Sequence, residues 1–126
     1  MTDPTGERIS EAEHAVMEAL WTRSPLSAGE VADAVMQNRG WSLATVKTLL
    51  SRLVAKQAVS TQPQGKRFLY APRIAREAYL GGESRRLVDR LFGGSAAGLF
   101  AHLAEAEALS QADLDRIASL LEELRK

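Results

Sequence analysis

Thr45, Lys47, Thr48, Ser51 and Arg52 stand close together in the stretch WSLATVKTLLSRLVAKQAV, Trp41 to Val59. They supply hydroxyls and cations, and the stretch contains no carboxylate. The chemistry open to such a set is recognition. Thr and Ser hydroxyls bond phosphate oxygens or base edges, and Lys and Arg neutralise phosphate charge. Ser42 and Ala44, both small, extend the same set toward the start of the stretch. A solvated helix face usually mixes Glu with Lys, because i,i+4 pairs of opposite charge add stability. A surface helix that lacks acid by chance is the plainer account of this segment taken alone.

Bond-making chemistry finds little support. There are no cysteines, which excludes disulfides, thiolate metal sites and cysteine nucleophiles. His14 and His102 cannot by themselves make a metal site. No Gly-rich phosphate loop follows a strand pattern, and no nucleophile–base pair stands out. The 16 acidic residues fall on helix faces that read as solvated. The chain is therefore expected to be no enzyme and to need no cofactor or metal.

The charge distribution favours an anionic partner. The 126 residues carry 16 acids and 16 bases, a formal balance of zero. Yet no Asp or Glu occurs between Asp33 and Glu77, a window that holds Arg39, Lys47, Arg52, Lys56, Lys66, Arg67, Arg73 and Arg76. A local cationic field matters more to association than the sum. The longest apolar runs are far too short to span a membrane. The opening residues MTDPTGERISEA show no apolar leader, so a cytoplasmic location is expected.

These side chains need elements to position them. A first helix is predicted from about Ser10 to Trp21, opened by the capping box Ser10/Glu13, with Val16, Met17, Leu20 and Trp21 as its apolar stripe. A second starts at Ser27, boxed by Glu30, and buries Val31, Ala34 and Val35. The third is the opening stretch. Ser42 caps it, Val46, Leu49, Leu50 and Leu53 line one side, and Leu43 and Val54 widen that side. The polar set above then points the other way. Next, VSTQPQGKRFLYAP offers two short strands, about Ala58–Gln62 and Arg67–Ala71, around a turn marked by Pro63 and Gly65. Three helices and a hairpin make a winged helix-turn-helix, with Lys66 and Arg67 near the wing tip. A solvated hairpin tip would carry such residues too.

Beyond residue 72 the pattern is helical again. A long helix is expected from Ile74 to about Phe92, with Leu87 and Leu91 among its apolar positions, ended by Gly93–Ser95. A shorter one follows over about Ala96–Ala108, and a last one is capped by Ser110 with Asp113. In the last, Leu114, Ile117, Leu121 and Leu124 recur at intervals of three and four, which is a coiled-coil seam. A sheet-free segment of this size can hardly close a core alone. A second copy of the chain would cover it, unless the helices pack back on the first domain. The expected organisation is thus mostly α with a small β-hairpin, a winged helix in 1–72 and a helical dimerisation domain in 73–126.

Four blocks, ISEAEHAVMEALW, WSLATVKTLLSRLV, GKRFLYAP and ESRRLVDRLFGGS, resemble the penicillinase-repressor family, the BlaI/MecI/CopY-type transcriptional repressors. The resemblance runs from Ile9 into the last helix. It implies a homodimer that sits on a palindromic operator and blocks transcription, with a link to antibiotic resistance. Thr45, Lys47, Thr48 and Arg52 would then enter the major groove of operator DNA, and Lys66 and Arg67 would hold the backbone. It also implies release of DNA when a signal-activated protease cuts the segment that holds His102–Leu103 here, where the β-lactam branch carries Asn–Phe. The copper-responsive branch carries paired cysteines, which are missing, so copper–thiolate sensing is excluded. Two further departures are Gln57, where the family usually has Gly, and His14, where a large apolar residue is common. A winged helix that binds protein instead of DNA is the other reading, and duplex binding would dismiss it.

Overall fold

The computed structural model describes Arg8 to Lys126, apart from the side chains of Gln37 and Asn38. The leader expectation falls partly on Met1–Glu7, outside the described residues. Element order is α1 (Glu11–Thr22), β1 (Leu26–Ser27), α2 (Ala28–Arg39), α3 (Leu43–Ala55), β2 (Val59–Gln64), β3 (Arg67–Pro72), α4 (Arg76–Phe92), α5 (Ala96–Glu105) and α6 (Gln111–Arg125). Two compact units result, the first ending at Gly82 and the second Glu83–Lys126.

Both capping boxes form in the first unit. Ser10 Oγ accepts the Glu13 N–H while Glu13 Oε1 accepts the Ser10 N–H, and Ser27 and Glu30 repeat the arrangement. Val16, Met17 and Leu20 of α1, Val31 and Val35 of α2, and Val46, Leu49, Leu50 and Leu53 of α3 pack into one core. Truncating a fully buried leucine such as Leu50 should cost roughly 2–5 kcal/mol. Ile74 and Tyr79 join this core, and Trp21 Nε1 donates to the Ile74 carbonyl at 2.8 Å. The first unit therefore extends past residue 72.

Three expectations fail locally. Leu43 does not widen the buried stripe but is exposed, because at the start of α3 it faces an open cleft between the first turn of α2 and the hairpin. Ala34 is exposed and Ala32 is buried in its place. Pro63 belongs to strand β2, opposite Phe68, and the turn is the two-residue loop Gly65–Lys66. Since Gln64 and Arg67 flank that loop as a bonded pair, Pro63 points its missing donor away from β3, on an edge strand where none is needed. β1 is an addition: Leu26 and Ser27 pair with Tyr70 and Leu69, giving an antiparallel sheet of order β1-β3-β2.

In the second unit Gly93 and Gly94, at φ 57° and 87°, end α4. α5 stops at Glu105 instead of Ala108, because Glu107 turns left-handed and the Ala108 N–H returns to the Leu103 carbonyl at 2.9 Å. Ser110 and Asp113 box the start of α6. No residue of α5 or α6 is buried, and Val88 alone is buried among the described residues of this unit.

Candidate nucleic-acid interface

The candidate reading helix is α3. Ser42 caps it by accepting the Thr45 N–H at 3.2 Å, and its first turn carries no acid. Its four buried residues fix the rotation of the helix about its axis. Ala44, Thr45, Lys47, Thr48, Ser51 and Arg52 are all exposed as a consequence. From Ala44 to Arg52 the face is about 12 Å long, close to the width of a major groove. The Thr48 hydroxyl donates to the Ala44 carbonyl at 3.1 Å, which leaves its oxygen as an acceptor. Ser42 and Thr45 hydroxyls lie 3.1 Å apart, so one hydroxyl hydrogen of the two stays available. Among the described residues no carboxylate pairs with Lys47 or Arg52.

The wing adds two cations. Gly65 takes φ 63°, as a tight two-residue hairpin requires at its first loop position, and Lys66 follows it. Arg67 donates from Nε at 3.2 Å and from its terminal nitrogen at 2.9 Å to Gln64 Oε1, which holds the guanidinium across the base of the turn. Lys47, Lys66 and Arg67 line one cleft of about 290 Å³ together with Leu43 and Phe68. The structure thus brings Lys47 of the helix face and the two wing cations to one cleft, which Ala44, Thr45, Thr48, Ser51 and Arg52 do not line. Glu30 lies within electrostatic reach of Arg67, but the Ser27 N–H and hydroxyl already hold its carboxyl below the usual range.

The acid-free window in sequence is not acid-free in space. Lys56 Nζ meets Glu13 Oε1 at 2.6 Å, and Arg76 Nε meets Glu18 Oε1 at 2.9 Å. Both acids come from α1, too far back along the chain for local pattern to pair them. Arg39 lies over the Trp41 ring, 5.3 Å from its centroid. His14 is half-buried against α4. Its ring stacks on Tyr79 at 5.4 Å, and its Nε2 is 3.1 Å from Glu18 Oε2. Leu43 and Phe68 also line the cleft of Lys47, Lys66 and Arg67, which the sequence pattern does not announce, since an exposed apolar side chain carries no signal in a helix or strand pattern.

The second unit presents the seam. Leu87, Leu91, Leu114, Leu121 and Leu124 are exposed, and Ile117 is half-buried. His102 is exposed and Leu103 half-buried on α5, with the His102 ring 6.1 Å from that of Phe92. Among the described residues no three His, Cys, Asp or Glu are placed to hold a metal, and no helix is long and apolar enough to cross a membrane.

The penicillinase repressor of Bacillus licheniformis is 29% identical over 116 residues, 92% of this chain and 91% of that protein. The methicillin resistance regulatory protein MecI of Staphylococcus aureus (strain N315) is 26% identical over 113 residues, 90% of this chain and 92% of that protein. Among solved structures, the monomeric form of Bacillus licheniformis BlaI in complex with the blaP half-operator shares 33% identity, covering 63% of this chain and 94% of that one, with a TM-score of 0.53. The family model for the penicillinase repressor matches residues 9–123, so the chain belongs to the penicillinase-repressor family, whose members are regulators and not enzymes.

Proposed function

We propose that this chain is a transcriptional repressor that reads duplex operator DNA with α3 and holds the backbone with its wing. The observation that carries this is the shared cleft of Lys47, Lys66 and Arg67 beside a helix face of small hydroxyls that itself carries no acid. Any carboxylate there would repel phosphate. Ser42, Ala44, Thr45, Thr48, Ser51 and Arg52 complete the reading surface. The relative from Bacillus licheniformis that shares this domain's fold was solved on a half-operator, which supports the same use here.

The chain acts as a homodimer on a palindromic operator, with the first unit, to Gly82, reading and the second, Glu83–Lys126, assembling. Exposed leucines on helices without a core of their own support this: Leu87, Leu91, Leu114, Leu121 and Leu124, with Ile117 between them. A two-fold dimer places its half-sites one helical turn, or a multiple, apart. Release follows a cut near His102–Leu103 by a signal-activated protease. Such a repressor works in the cytoplasm and needs no cofactor.

The test is selection of duplexes from a random pool by the full chain, then binding at increasing salt. One enriched palindrome, bound less tightly as salt rises, is the expected result. No enrichment, with capture of a protein partner through α3, would establish the winged-helix interaction module instead.

A further inference from the structure

Leu43 and Phe68 are exposed by 44% and 53%, and both lie in the cleft that Lys47, Lys66 and Arg67 line. One exposed leucine is ordinary. Two large apolar side chains from different elements, meeting where three cations converge, are a composite surface. The charges define what covers it: a polyanion drawn onto Lys47, Lys66 and Arg67 excludes water from Leu43 and Phe68 at the same time. The polyanion must then offer an apolar group at that spot. Leu43 is the first residue of α3, and the first residues of a reading helix are the ones that reach base edges. The apolar group on the base edges of the major groove is the 5-methyl of thymine.

We propose that Leu43 receives the 5-methyl group of one thymine in each operator half-site, and that Phe68, from the wing, closes the outer side of that contact. The inference rests on α3 being the DNA-reading helix. Phe68 is two residues from Tyr70 on β3, and both line the cleft, so the strand alternation that buries part of Tyr70 against the core aims Phe68 at the start of α3. Leu43 sets base preference, and Phe68 sets how dry the contact is.

The experiment uses the full chain and the duplex it enriches from a random pool. Each thymine is replaced in turn by deoxyuridine, symmetrically in both half-sites, which removes only the methyl. One position should lose about fourfold in affinity per half-site, the worth of one buried methyl. In Leu43→Ala that loss should vanish, while other positions respond as before. In Phe68→Ala it should shrink at the same position. Both side chains are exposed, so an unchanged thermal midpoint shows that each variant is folded. Deoxyuridine sensitivity that persists in Leu43→Ala gives the methyl to another group and overturns the proposal. An enriched site insensitive to every replacement overturns it too. Failure to enrich any duplex removes the reading function itself, and this contact with it.

Discussion

Lys56 Nζ lies 2.6 Å from Glu13 Oε1, and this single ion pair ties the residue that caps the end of α3 to the first turn of α1. Glu13 is 1% exposed. Burial pushes its carboxyl up, but the Lys56 ammonium and the Ser10 N–H outweigh burial and hold it below the usual range. Lys56 also donates to the Arg8 carbonyl at 2.8 Å, so the ammonium clamps both ends of the turn that opens α1.

This pair gives the first prediction. A carboxyl lowered in the folded state contributes stability above its unfolded value near 4.5, and that contribution is lost as pH falls through the folded value. Thermal midpoints should drop as buffer is taken from neutral to below the ordinary carboxylate range. Glu18 and Glu30 are lowered as well and share the slope. Glu13→Gln should flatten part of it. Lys56→Met leaves a buried carboxylate without its counter-charge and should cost about 3 kcal/mol in urea unfolding. A Lys56→Met chain as stable as the parent would show that the pair is solvated and carries no weight.

Gln57 carries the second. It sits at φ 65°, its N–H returns to the Val54 carbonyl at 3.0 Å, and the Ala58 N–H returns to the Leu53 carbonyl at 2.9 Å. This is the helix ending that glycine normally serves. A side chain held left-handed costs roughly 1–2 kcal/mol, partly offset because glycine is freer in the unfolded chain. Gln57→Gly should stabilise by about 0.5–1 kcal/mol, since the exposed Gln57 side chain gives up little. Gln57→Val should destabilise. A glycine variant with a lower unfolding midpoint would mean that the glutamine side chain makes a contact that matters.

Both positions show what sequence pattern could and could not convey. The three helices of the first unit were legible because capping boxes and a 3.6-residue stripe act locally, and Val46, Leu49, Leu50 and Leu53 alone settle which way α3 faces. Strand β1 was not legible. Two residues have no period, and Leu26–Ser27 becomes a strand only because β3 offers it an edge. The Glu13–Lys56 and Glu18–Arg76 pairs were hidden for a similar reason: long-range pairing leaves no mark in either segment. Leu43 follows the helix stripe in sequence, yet it lines an open cleft, and a stripe cannot tell a filled neighbour from an open one.

A third prediction concerns affinity for DNA. Lys66, at the wing tip, is assigned one phosphate per subunit. Lys66→Ala should lower the log–log salt slope of operator binding by roughly 2 for a dimer, at about 0.9 per contact. Arg52→Ala or Thr48→Ala should instead relax sequence preference, by about 1–3 kcal/mol where a base edge is lost. Titration of enriched and scrambled duplexes across a salt series separates these two outcomes. Binding that survives loss of both Lys47 and Arg52 would remove α3 from the interface.

A fourth concerns assembly. Ile117 stands between Leu114 and Leu121 on α6, in the middle of the seam. Ile117→Asp would place a carboxylate among apolar side chains, at a cost of several kcal/mol if the seam is covered by a second copy. Light scattering at micromolar concentration should give a dimer for the parent chain and a monomer for the variant. A monomeric parent would refute the dimer outright.

The last concerns release. His102 and Leu103 lie in α5, upstream of the whole α6 seam. A cut there detaches Leu114, Ile117, Leu121 and Leu124 from the reading head while leaving the core of the first unit intact. A dimer held by that seam would then lose much of its apolar contact, at about 25 cal/mol per Å², and with it the linkage of two half-sites. Bivalent binding exceeds single-site binding by roughly 10²–10⁴ without any new contact, so its loss alone is enough to free an operator. A helix must open locally before a protease can take it, and α5, which buries no residue, has little packing to hold it closed. A chain ending at His102 should therefore keep the far-ultraviolet signature of a folded winged helix and bind the enriched operator at least a hundredfold more weakly. Equal affinity of the truncated and full chains would rule out this route, and the full chain recovered intact from induced cells would assign release to another signal.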